Sequence, residues 1–144
     1  MALDTIAERI LNESKQNTSF KLCRIGHPAR MIDEVVEISI DRILESKYKF
    51  LTKMNKLKTL LKENPNNLDI KDKIKKYNAE RRNLAIEVIK SSDAVFATTV
   101  GAMDADVTSF LEQSNKKYFD FVIFDEAGQS LEAGCLIAIL LAQK

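Results

Sequence analysis

Apolar positions along this chain fall into two patterns, one with the period of a helix and one of short, nearly unbroken runs. Leu3, Ile6, Ala7, Ile10 and Leu11 recur at intervals of three and four, which predicts an amphipathic helix over residues 2–12. Leu44, Tyr48, Leu51, Met54, Leu57 and Leu61 form a longer seam of the same kind. The seam breaks at Asn64-Pro65-Asn66-Asn67, a strong turn signal, and resumes with Ile70, Ile74, Tyr77, Leu84 and Val88, interrupted by Arg81. Two matching seams around a tight loop predict an antiparallel helical hairpin. Each helix has a narrow apolar stripe and a lysine-rich back, so the pair is expected to project as an arm. Residues 131–142 are apolar over a helical length.

The second pattern predicts strands. Residues 20–25 alternate and stop at Gly26, which suggests a short strand and a loop through His27, Pro28 and Arg30. Residues 94–99 form a second buried strand, closing on Thr98 and Thr99 just before Gly101. Residues 32–43 have mixed periodicity, and Val107, Phe110 and Leu111 suggest a short helix within 102–117. The most apolar run, opening at Tyr118 and continuing from Phe119 to Phe124, is broken only by Asp120 and ends at Asp125 and Glu126. Rich in aromatic and β-branched residues, it reads as a strand buried on both faces of a parallel sheet. Strands separated by helical segments make the fold class α/β.

Acids at the carboxyl end of such a strand lie where α/β proteins bind ligands. Phosphoryl-transfer sites need one acid for Mg²⁺ and a second polar group to position the attacking water. Asp125 and Glu126 match that requirement; they equally suit the cap of a following helix, since acids favour a helix N-terminus.

Composition narrows the class. With 144 residues, 45% hydrophobic and 30% charged, the chain suits one soluble globular domain. No run approaches the ~20 apolar residues of a membrane span. Asp4, Glu8 and Arg9 interrupt any signal-peptide core, so residence in the nucleus or cytoplasm is expected. Cys23 and Cys135, in apolar contexts without metal-binding spacing, read as small core residues of a reducing compartment. His27, the only histidine, suits loop packing or a hydrogen bond rather than catalysis. The formal charge of +1 conceals an asymmetry. Residues 44–92 hold thirteen Lys/Arg against six Asp/Glu, a net of +7, on a body of net −6. A basic insert on an acidic body suits contact with a polyanion, and equally a solvated helical face.

Four ordered segments carry a family resemblance: residues 2–11, residues 24–30 (Arg-Ile-Gly-His-Pro-Ala-Arg), residues 97–102 (Ala-Thr-Thr-Val-Gly-Ala) and residues 125–132 (Asp-Glu-Ala-Gly-Gln-Ser-Leu-Glu). The chain resembles the first RecA-like lobe of 5′-to-3′ superfamily 1 helicases, in the group containing the nonsense-mediated-decay helicase, immunoglobulin mu-binding protein 2 and senataxin. The segments look like the end of motif Ia, the strand and loop after it, motif Ib, and motif II, the Walker B element. The resemblance implies a partial RecA-like P-loop NTPase lobe with a parallel sheet at 1–43 and 93–144, and an inserted basic helical hairpin at 44–92. It implies that Asp125 holds Mg²⁺, that Glu126 orients or deprotonates the water attacking ATP, and that Gln129 couples nucleotide state to lobe closure. Thr98, Thr99 and Gly101, with Arg24 and Arg30, would contact the backbone of single-stranded RNA or DNA. Hydroxyls and backbone N–H groups beside a glycine approach phosphates closely without reading bases. Ordinary strand threonine remains the other reading of Thr98 and Thr99.

The sequence departs from that family in containing no Gly-x-x-x-x-Gly-Lys-Ser/Thr phosphate cradle. Motif III and the second RecA-like lobe, with its arginine finger, are also missing. The chain is therefore expected to be an internal piece of an ATP- and Mg²⁺-dependent helicase, inactive by itself, with residues 119–124 left as an uncovered sheet edge. The alternative is a non-enzymatic nucleic-acid or protein binding module displaying a basic hairpin.

Overall fold

Two parallel strands, β1 (Leu22–Arg24) and β2 (Ala94–Phe96), form the centre of the computed structural model, which describes residues 2–15, 20–113 and 119–141. Leu22 pairs with Ala94, Cys23 with Val95 and Arg24 with Phe96. On the other side of β1, Arg24 and Ser39 form a parallel bridge, and Arg24 N donates to Ile38 O at 2.8 Å.

The two-residue period of the strands divides the core. Leu22, Ala94 and Phe96 face α1 (Ala2–Ser14) and α2 (Asp33–Val36), packing with Ala7, Ile10 and Val35. Cys23, Ile25, Val95 and Ala97 face the opposite way, onto the larger core. That core is built by α3 (Ile40–Tyr48), α4 (Phe50–Glu63), α5 (Leu68–Lys90), α6 (Ala105–Gln113) and α7 (Glu132–Ile139). A parallel pair covered by helices on both faces is the α/β arrangement that the sequence predicts. The described chain is nevertheless mostly helical, with a sheet of two strands.

The apolar run before Asp125 departs from expectation. Among the described residues, its only backbone hydrogen bond within 119–124 is Phe119 N to Leu141 O at 3.0 Å, and it joins no sheet. Its side chains alternate instead. Phe119, Val122 and Phe124 pack on the larger core, whereas Phe121 and Ile123 are 86% and 92% exposed. The segment is half-buried, not buried on both faces; Phe119 forms an isolated bridge, and residues 120–124 have no strand partner among the described residues. Tyr118 and Ala142, expected to open the run and to close the last helix, lie outside the described residues.

The helical hairpin forms, with two changes. Its first seam starts at Ile40, capped by Ser39, whose hydroxyl accepts from Arg42 N. The seam then breaks at Lys49, which adopts a left-handed backbone (φ 51°, ψ 42°) and separates α3 from α4. At the tip, Asn67 caps α5 by accepting from Ile70 N. The last turns of α5 enter the body, where Ala85, Ile86, Val88 and Ile89 are buried.

Candidate functional site

Asp125 and Glu126 end the half-buried segment and are exposed. Glu126 takes a left-handed conformation (φ 52°), and a single turn over Ala127–Gln129 follows. Gln129 N donates to Glu126 O at 2.9 Å, which closes the turn. Cys135 Sγ lies 3.9 Å from Ala127 O and ties the turn to α7. Among the described residues, the side chains of Asp125, Glu126 and Gln129 have no hydrogen-bond or ionic partner.

Neither acid caps a helix through its side chain: Glu126 stands at the N-cap position of the turn over Ala127–Gln129 but makes no side-chain cap there. Helix α7 begins only at Glu132, and its N-cap is Leu131, without a side-chain cap. Two unpaired carboxylates on one turn are hard oxygen donors suited to Mg²⁺, which keeps several waters and phosphate oxygens in its shell. They do not form a complete metal cage. Among the described residues, no group of three or more His, Cys, Asp and Glu is placed to hold a metal ion.

The loops leaving β1 and β2 lie side by side. A Cβ at Gly101 would stand 3.0 Å from Thr98 Oγ1 and 3.7 Å from Ile25 O, so only glycine fits without displacing the Thr98 side chain. Thr98 is exposed, but its hydroxyl already accepts from Gly101 N at 3.0 Å. That bond occupies the glycine N–H and leaves the hydroxyl proton of Thr98 to face solvent. Thr99 is half-buried and lies against Gly134 of α7, where an added Cβ would sit 3.6 Å away. The helix following the acidic turn therefore touches the threonine loop.

The two arginines assigned together by sequence are separated by the fold. Arg30 is exposed at the end of the turn over Pro28–Arg30. His27 caps that turn, with Nδ1 accepting from Ala29 N at 3.2 Å. Arg24 is buried; its Nε donates to Asp4 Oδ1 at 2.9 Å and its Nη1 donates to Ile25 O. Burial and pairing take Arg24 out of reach of a nucleic-acid strand on the surface.

Arg81, which breaks the apolar seam of the hairpin, is half-buried and paired. Its guanidinium spans Asp41 of α3, at 2.8 Å, and Asp106 of α6, at 2.9 Å. Burial works against its charge, but the two carboxylates outweigh that and raise its pKa. Burial also pushes the Asp106 carboxyl above its usual range, against the pull of Arg81. Sequence reasoning passed over Asp41 and Asp106. The available signal was Arg81 itself, since a charge on an apolar seam needs a buried partner.

No helix among the described residues is long and apolar enough to cross a membrane. The family model described as "AAA domain" matches residues 52–144. DNA-binding protein SMUBP-2 of Rattus norvegicus is 29% identical over 157 aligned residues, which take in 100% of this chain and 15% of that protein. DNA polymerase alpha-associated DNA helicase A of Saccharomyces cerevisiae is 29% identical, over 99% of this chain and 22% of that protein. Its Schizosaccharomyces pombe counterpart is 27% identical, over 97% of this chain and 21% of that protein. The chain thus spans between 15% and 22% of the length of these curated relatives.

Proposed function

Because this chain belongs to the AAA domain family, we propose that it supplies the acidic half of an ATP site and part of the single-strand track of a helicase. The carrying observation is the turn after Phe124, where Asp125 and Glu126 stand exposed, unpaired among the described residues and not used as a helix cap. The small parallel sheet with helices on both faces supports the same reading.

In this reading Asp125 would hold Mg²⁺, and Glu126 would orient the attacking water and accept its proton. Gln129, on the same turn, would respond to the nucleotide. Magnesium bound with ATP would neutralise charge on the phosphates. Thr98 and Arg30 offer a hydroxyl and a guanidinium to phosphate oxygens, while Gly101 allows close approach of the backbone. Thr99, held against α7, would link strand contact to the acidic turn. Arg24 is left out of this set, because it is committed to Asp4. The names of the relatives make DNA the first nucleic acid to assay, with RNA as competitor.

The test is a chimera in which these residues replace the aligned span of the yeast helicase. It should bind and hydrolyse ATP. Glu126→Gln should preserve ATP binding but reduce turnover at least ~100-fold, the scale of general-base loss, and Asp125→Asn should raise the Mg²⁺ concentration needed for activity. Normal hydrolysis by both variants would refute the assignment. The alternative, a non-enzymatic binding module, rests on the basic hairpin alone.

A further inference from the structure

The break between α3 and α4 creates a cavity of about 290 Å³ at the root of the hairpin. Lys49 makes the bend through its left-handed backbone. Glu45 fixes it, because its carboxylate accepts from Leu51 N at 2.5 Å and from the Thr52 hydroxyl, capping the first turn of α4. As a result Lys47, Lys49 and Lys53, from both sides of the bend, line one opening. None of the three has an ionic partner among the described residues. Glu80 is the single acid in the wall, so the lining carries a net charge of +2.

The cavity also has an aromatic side. Phe50 and Tyr77 stack with ring centroids 4.1 Å apart, and Tyr48 is 40% exposed beside them. The Tyr77 hydroxyl is buried without a hydrogen-bond partner among the described residues. A buried hydroxyl left unpaired is costly and marks a place where a further polar group fits.

We propose that this cavity seats one phosphate and sugar of single-stranded nucleic acid, with the adjoining base against Tyr48. Three lysines lining a small opening suit a phosphodiester, and an aromatic rim accepts any base by stacking. The volume lies at the lower end of small-ligand pockets, enough for a nucleotide unit and too little for a protein element. The inference rests on the proposed single-strand track, and it adds the bend of the basic hairpin to that track.

The test measures anisotropy of a labelled oligothymidylate with the 144-residue chain over a range of salt. One variant carries Lys47→Gln, Lys49→Gln and Lys53→Gln. Its control carries Lys71→Gln, Lys75→Gln and Lys76→Gln on the exposed face of α5. The bend variant should lose about tenfold or more in affinity and reduce the salt slope by about 0.7, the share of one single-strand phosphate, while the control stays within about twofold. Tyr48→Ala should weaken binding and Tyr48→Phe should restore it. Should the triple variant fail to fold, Lys47→Gln with Lys53→Gln leaves the bend intact and serves in its place. Equal losses in the two triples, or loss in the control alone, would overturn the site while leaving the hairpin a strand contact. Absence of binding by the unmodified chain would overturn both.

Discussion

Arg81 Nη1 contacts both oxygens of Asp106, at 2.9 and 3.1 Å, and so fastens the inserted hairpin to the helix that follows the threonine loop. Asp41 holds the other arm of the same guanidinium. Arg81→Met should leave the buried Asp106 carboxylate and the partly buried Asp41 carboxylate without their shared cation. A loss of about 2–3 kcal/mol in urea unfolding is expected, below the full cost for a deeply buried pair because the site is partly solvated. Burial already raises the Asp106 pKa, so the folded state holds that proton more tightly than the unfolded state. Its contribution therefore falls as pH rises through the range just above 3.8, and the fall should extend further without Arg81.

Asp4 and Arg24 form the most buried ion pair described, with side chains 4% and 7% exposed. Asp4→Ala should strand a guanidinium beneath α1 and cost about 3–5 kcal/mol. Pairing Asp4→Leu with Arg24→Met should recover most of that loss in a denaturant titration. Nucleic-acid affinity of the folded double variant should match that of the unmodified chain.

Burial pushes the Cys23 thiol up to about 12, with a lowering hydrogen bond to Ser92 and a further rise from Asp106. The raised value means that stability is intact below pH 9.0 and declines as the solution approaches pH 12. Near neutral pH, iodoacetamide should modify the partly exposed Cys135 and spare Cys23. Mass spectrometry across a urea series should show Cys23 labelling only with global unfolding.

Phe121 and Ile123 turn outward from a segment whose backbone has no strand partner among the described residues. Such an edge is a template for association. Sedimentation velocity should show concentration-dependent self-association that Phe121→Lys with Ile123→Lys abolishes at little cost in stability. Phe124→Ala, on the inward face, should instead lower stability by roughly 1.5–3 kcal/mol. Association unaffected by the double lysine variant would place the sticky surface elsewhere.

Periodicity alone determined much of this protein. The stripe of Leu3, Ile6, Ala7 and Ile10 becomes α1, the break at 64–67 becomes the hairpin tip, and the two short apolar runs pair in parallel. The acidic turn was also legible, because an abrupt change from apolar to charged residues marks a chain leaving the core. These features depend on neighbours within a few residues, which a linear pattern records.

Tertiary structure decided where long-range partners intervene. Asp4 lies on the apolar stripe of α1 and Arg24 shares a strand face with Leu22, yet only the packing of α1 on β1 makes their charges one buried pair. Arg81 looked like part of a basic surface until Asp41 and Asp106, distant in sequence, closed around it. The seam through Lys49 keeps its helical period on both sides. Its bend follows from Glu45 capping α4 and Phe50 stacking on Tyr77 of the opposing helix. The run from Phe119 to Phe124 has the composition of a central strand, but a strand exists only where another backbone meets its N–H and C=O groups. Side-chain pattern selects which face is buried; pairing is a property of the assembled fold.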